Sequence, residues 1–159
     1  MASTTIEDVE DFLNQKRIAF VGVSRDPKDF SRSLFRDLQR LGYTVIPINP
    51  QIPDIEGSRC LTRVPEITPP VDGALIMTPA AKSEQVVREC AQAGITRVWL
   101  HRGTGTGSVS PEALGLCEQL GIRVVAGYCP YMFLPQTPFF HRFHGFLMKV
   151  TGAYPEPSH

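Results

Sequence analysis

Five short apolar runs, separated by segments of helical spacing or by turns, constrain this chain more than any other feature. The runs are Ile18 to Val23, Tyr43 to Ile48, Ala74 to Met77, Arg97 to Leu100 and Ile122 to Ala126. Between them, Leu34, Phe35, Leu38 and Leu41 recur at helical spacing before Gly42, and Val86, Val87, Cys90 and Ala91 do so before Gly94. A further helical segment opens at Ser110 and Pro111 and closes at Gly121. Strands that are apolar almost throughout need helices on both faces, so the pattern predicts a doubly wound parallel sheet of about five strands in an α/β domain. Ile6, Val9, Phe12 and Leu13, following Thr4 and Thr5 as candidate caps, predict a short amphipathic helix packed at the sheet's edge.

With 159 residues, 42% of them hydrophobic, the chain can build one buried core but not two independent domains. The alternation assigns residues 1–130 to a Rossmann-like, three-layer αβα domain. Residues 131–159 break it and predict a non-regular C-terminal arm, whose Phe133, Phe139, Phe140, Phe143 and Phe146 suit anchoring on the domain or on a second copy in a homodimer. Residues 51–70, interrupted by Pro53, Gly57, Pro65, Pro69 and Pro70, predict irregular chain with one short helical turn. Sixteen basic and sixteen acidic residues cancel. No bulk positive field therefore draws the chain to nucleic acid or an anionic membrane, and any anion site must be local. The acidic N-terminus does not read as a signal or transit peptide, and no apolar run approaches the roughly 20 residues that span a bilayer, which points to a cytoplasmic protein. Cys60, Cys90, Cys117 and Cys129 form no C-x-x-C pair and read as buried thiols.

The first run turns at Gly22 into "VSRDPKDFSRS" and then a helix. In open parallel sheets the first strand-to-helix turn aims helix amides at an anion, and a glycine there permits close backbone approach. Ser24, Arg25, Lys28, Ser31 and Arg32 surround it with hydroxyls and bases suited to phosphate oxygens. Two glycines of a full G-x-G-x-x-G are absent, and the second run ends in Ile48, Asn49, Pro50 where an NAD site would place an acidic ribose ligand. The loop keeps the logic of a phosphate cradle and loses that of a nicotinamide dinucleotide.

These residues, together with "GYTVIPINP", "IEGSRCL", "VDGALIMTP", "GITRVWL" and "GIRVVAGYCP", resemble the stand-alone CoA-binding proteins. Their fold is similar to the CoA-binding domain at the start of the succinyl-CoA synthetase α subunit. The resemblance runs from about residue 12 to Pro130. It implies coenzyme A as the ligand, with contacts from Gly22, Val23, Ser24, Arg25 and Ser31 to the phosphates. It also implies that Asn49 and Pro50 border the adenine nucleotide and that Thr78 and Pro79 contribute from the third strand. CoA carries a ribose 3′-phosphate besides its pyrophosphate, a demand that Arg25 and Lys28 suit. Where many relatives have Arg-Pro before the loop serine, this chain has Asp29 and Phe30. Its fourth strand is followed by His101, Arg102 and Gly103, and Arg102 is a candidate for the missing base.

The function expected from these features is a binding module for CoA or an acyl-CoA without catalysis of its own. Two alternatives belong to other classes. An NAD(P)-dependent oxidoreductase would use Arg25 and Lys28 on a 2′-phosphate, and an acyl-CoA-handling enzyme would use His101 or Cys129. Cys129, His141 and His144 are chemically able to ligate zinc, but their spacing is weak support and no metal is expected.

Overall fold

The computed structural model describes residues 4–102 and 107–134. In chain order its elements are α1 (Ile6–Leu13), β1 (Arg17–Val21), α2 (Phe30–Arg40), β2 (Thr44–Ile48), β3 (Asp54–Ile55), β4 (Ser58–Arg59), β5 (Gly73–Ile76), α3 (Ala80–Gln92), β6 (Arg97–His101), α4 (Pro111–Leu120) and β7 (Arg123–Tyr128). Short 3-10 turns occupy Val64–Glu66 and Pro130–Met132. Five strands form one parallel sheet in the order β2-β1-β5-β6-β7, and β3 and β4 form a separate antiparallel hairpin. This is the expected doubly wound α/β sheet in three layers.

The strand alternation sorts side chains between two cores. Ile18, Phe20, Leu75, Trp99 and Val125 point to the face covered by α1 and α2, where they meet Val9, Phe12, Leu34, Phe35 and Leu38. Ala19, Val21, Ala74, Ile76, Val98 and Leu100 point to the opposite face, covered by α3 and α4 through Val86, Val87, Cys90, Ala113, Leu116 and Cys117. With both faces buried the strands cannot alternate with polar residues, which is why they read as continuous apolar runs.

Local chemistry sets the helix ends. Thr5 caps α1 in a reciprocal box with Asp8, and Ser110 caps α4 by accepting from the Ala113 amide. Gly121 ends α4 in the left-handed conformation. The expected edge position of the first helix holds for Thr4, whose hydroxyl accepts the Ala126 amide of edge strand β7. The helix itself reaches further over the sheet, because Phe12 packs edge-on against Trp99 at 5.4 Å and its ring would stand 3.0 Å from a Cβ at Gly73. Asp8 and Asp11 then pair with Arg123 and Arg97 at the strand starts.

The segment expected to be irregular contains the β3–β4 hairpin and the 3-10 turn, and Leu61 bridges to Ile48 at the edge of the main sheet. Of the expected C-terminal arm, Tyr131 and Leu134 are buried on the α2 face. Tyr131 donates a hydrogen bond to Asp37. Phe133 of the arm stands edge-on to Trp99 at 6.0 Å; Phe139, Phe140, Phe143 and Phe146, and His141 and His144, lie outside the described residues. No helix among the described residues is long and apolar enough to cross a membrane.

Candidate functional site

The chain passes from β1 to β2 on one side and returns through β5 on the other, so the strand order reverses between β1 and β5. In open sheets of this kind the ligand crevice lies at that reversal, beyond the carboxyl ends of the strands. Gly22 stands there with φ +93°, and a Cβ at this position would lie 2.7 Å from both the Met77 carbonyl carbon and the Thr78 nitrogen. The glycine is thus required twice, by its backbone conformation and by contact with the chain leaving β5. The side of Gly22 on which a Cβ would project is thus filled by Met77 and Thr78.

Beyond Gly22 the loop to α2 is held by its own side chains. The Ser24 amide donates to Ser31 Oγ at 2.9 Å, and Ser31 Oγ donates to Asp29 Oδ2 at 2.6 Å. Asp29 is the N-cap of α2 and accepts the Ser31 amide. Ser31 therefore lies inside the helix, and the cap sits two residues earlier than a serine cap would. Ser24 Oγ accepts the Asp26 amide, and Asp26 Oδ1 accepts the Lys28 amide. Val23 is buried and its carbonyl accepts Asn49 Nδ2 at 3.1 Å, which ties the end of β2 to the same loop. Asn49 Oδ1 accepts the Gln51 amide, and Pro50 is exposed beside it.

The bases divide into two kinds. Arg25 and Lys28 are exposed at the loop's outer surface. Arg32 is buried beneath the loop, where Nη1 donates to the Ser24 and Arg25 carbonyls at 3.3 and 3.1 Å and Nη2 meets Glu56 Oε2 at 2.6 Å. Arg32, a candidate ligand contact from its sequence position, has its guanidinium engaged beneath the loop backbone. Asp26 and Asp29 also belong to the loop, so its charge is more balanced than Arg25 and Lys28 alone suggest.

Sequence reasoning missed Glu56. It sits in the β3–β4 turn, 24 residues from Arg32, and only the hairpin signal of "EGS" would have drawn attention to it. Arg36 also pairs with it, at 3.3 Å. The hydrogen bond from Arg32, opposed by burial and joined by Arg36, holds the Glu56 carboxyl below its ordinary 4.5.

On the far side of the crevice Thr78 follows β5. Its Oγ1 is buried without a hydrogen-bond partner, while its carbonyl accepts Ser108 Oγ at 2.5 Å. Ser83 Oγ donates in turn to the Ser108 carbonyl. Pro79 is the N-cap of α3 and supplies no side-chain cap. An orphaned hydroxyl beside the Gly22 turn and helix amides without a side-chain cap are the features a phosphate or amide group would complete.

His101 ends β6, buried and packed at 5.8 Å on the ring of Phe30, which itself stands edge-on to Tyr131 at 5.5 Å. Cys129 is buried, and burial, partly opposed by a backbone hydrogen bond, pushes its thiol up to about 11. A thiol in that state is a poor nucleophile near neutral pH. Arg102 is exposed and lines a concavity of about 440 Å³ with Val124, Ala126 and Gly127 of β7 and Leu114 and Glu118 of α4. No residue of the β1–α2 loop lines it, so the structure does not bring Arg102 together with Gly22 and its neighbours.

A doubly wound parallel sheet with a glycine turn at the strand reversal defines a Rossmann-like α/β domain. Residues 16–135 match the family described as CoA binding domain, and the chain belongs to that family. It is 27% identical over 125 residues to the acetate–CoA ligase [ADP-forming] II subunit alpha of Pyrococcus furiosus, a match covering 74% of this chain and 27% of that subunit. The chain thus spans about a quarter of that relative's length. It is 26% identical over 130 residues to the uncharacterized protein YneT of Bacillus subtilis, covering 81% of this chain and 93% of that one. Among solved structures, a hypothetical protein from Pyrococcus horikoshii superposes with a TM-score of 0.73 at 25% identity, covering 82% of this chain and 94% of its own.

Proposed function

We propose that this chain binds coenzyme A or an acyl-CoA in the crevice between β1 and β5, as a non-catalytic module. The single observation that carries the reading is the Gly22 turn pressed onto Met77 and Thr78 in a chain of the CoA-binding family. That contact joins the loop after β1 to the end of β5, where a buried hydroxyl lacks a partner. CoA's pyrophosphate would lie against the loop, with Arg25 and Lys28 near the 3′-phosphate and Asn49 and Pro50 on the adenine side. CoA would supply the thiol that carries an acyl group; the chain's own residues would bind and orient it. Neutral Asn49, engaged with Val23 and Gln51, cannot act as an acidic ribose ligand, which argues against NAD. The cytoplasm, where CoA is available, is the compartment proposed.

Calorimetry with CoA, dephospho-CoA and NADP tests this. CoA should bind tightest, with a clear loss on removal of the 3′-phosphate. Binding of NADP as tight as that of CoA would overturn the reading in favour of an oxidoreductase.

A further inference from the structure

We infer that Glu56 is a positioning residue for the β1–α2 loop, acting through Arg32 from a hairpin that belongs to neither the sheet nor the loop. The consequence for ligand affinity rests on the proposed function above; the positioning itself does not.

The Arg32 side chain is only 10% exposed and makes contacts in two directions. One guanidinium nitrogen gathers the carbonyls of Ser24 and Arg25, and the other meets the Glu56 carboxylate. In a trans peptide the carbonyl and the following N–H point opposite ways. Drawing the two carbonyls under the loop therefore turns the amides of Arg25 and Asp26 away from Arg32, and the Asp26 amide is taken by Ser24 Oγ. The clamp fixes which face of the loop presents donors. A buried guanidinium needs a counter-charge, and carbonyls alone do not provide one. Without the carboxylate, Arg32 gains by turning to solvent, and both carbonyls are released.

Glu56 is held to this task. Among the described residues it alone is a non-glycine with positive φ, at +50°, followed by Gly57 at +78°. Such backbone is disfavoured for glutamate and persists where the surroundings fix it. Here the Ile55–Ser58 pairing closes the turn, Ile55 is buried in the α2 core, and Gln39 Nε2 of α2 donates to Ser58 Oγ at 3.2 Å. Arg32 and Arg36 lie one helical turn apart and both reach the same carboxylate. The hairpin is thus fastened to α2 at its tip and side, with the loop fastened to it through Arg32.

Hydrogen exchange read by mass spectrometry on the ligand-free protein tests the positioning, comparing wild type with Glu56→Gln and Arg32→Lys. Residues 22–29 should exchange roughly tenfold faster in both variants, as expected for loss of a charge-assisted contact, while β5, β6 and β7 keep their protection. Glu56→Asp, which keeps the charge but shortens the reach, should fall between, and it serves as the readout if the other variants do not fold. CoA and dephospho-CoA should both weaken by the same factor in Glu56→Gln, because the clamp acts on the loop they share. Unchanged exchange at 22–29, or acceleration spread evenly over the domain, would overturn the inference. Faster exchange confined to 22–29, in a protein that binds neither CoA nor dephospho-CoA, would leave the positioning standing and remove the proposed function.

Discussion

Gly22 and Thr78 meet through their backbones at the point where the strand order reverses: a Cβ on the glycine would stand 2.7 Å from the Thr78 nitrogen. The contact joins two loops that are 56 positions apart and makes the crevice a property of the fold rather than of one motif. Gly22→Ala must accommodate both a φ of +93° and that overlap. The expected cost is about 1–3 kcal/mol in stability, measured by denaturant unfolding, together with a large loss of CoA affinity. A variant of wild-type stability and affinity would show that the loop can move off β5 without consequence.

Arg25 and Lys28 are exposed and contribute little to the fold, so their removal should separate binding from stability. Arg25→Ala should weaken CoA by roughly 1–3 kcal/mol if it bonds a phosphate, with the unfolding midpoint unchanged. The double variant with Lys28→Ala should lose more for CoA than for dephospho-CoA, because the extra charge answers the 3′-phosphate. Equal losses for the two ligands would move both bases to the pyrophosphate.

Asp26 opposes them. Its carboxylate accepts the Lys28 amide, a bond that an asparagine Oδ1 can also accept. Asp26→Asn keeps the turn and removes one negative charge from the mouth. CoA should bind about two- to fivefold tighter at low salt, with the gain shrinking as ionic strength rises, since exposed charges are screened over about 8–10 Å. Weaker binding by the variant would mean that Asp26 contacts the ligand or that its charge is needed to hold the loop.

Most of the fold was legible because its signals are local. Continuous apolar strands, Gly42, Gly94 and Gly121 as stops, and Ser110 with Pro111 as a start each act within a few residues. The β3–β4 hairpin was not legible: strands of two residues carry no periodicity, and the prolines around them read as loop. At the candidate site the residue types were legible and the directions of the side chains were not. Ser31 and Arg32 are types that bind phosphate, yet one ties Ser24 to Asp29 and the other ties the loop to Glu56. Sequence supplies a residue's chemistry but not which way a side chain on the first helical turn points. Here the burial of both side chains, set by the packing of α2 on the sheet, decided it.

The N-terminal helix should make the domain sensitive to acid. Burial tends to raise the Asp8 carboxyl, but hydrogen bonds from Arg123 and Thr5 outweigh it and hold the group below its ordinary 3.8. A carboxyl lowered in the folded state stabilises above its unfolded pKa, and that contribution is lost as the pH falls through the folded one. Stability should therefore drop below about pH 4, and Asp8→Asn should flatten that limb while costing about 1 kcal/mol or less at neutral pH, as a partly exposed ion pair and cap would. Unfolding curves at pH 3 and pH 7 check this, and an acid limb unchanged in the variant would assign the sensitivity elsewhere.

Thiol chemistry separates the binding module from an acyl-transferring enzyme. Cys60, Cys90, Cys117 and Cys129 are all buried, and burial raises each thiol, with Cys117 and Cys129 pushed up to about 11. Because the thiolate is the reactive form, native protein at pH 7.5 should take up iodoacetamide slowly at every cysteine, and all four should react promptly once denaturant exposes them. Acyl-CoA should likewise leave no thioester on the chain, as read by intact mass. Rapid, selective labelling of Cys129, or an acyl adduct there that Cys129→Ser abolishes, would mean that the thiol opens to the crevice and is activated when a ligand is present, and would restore the enzymatic reading over the binding module.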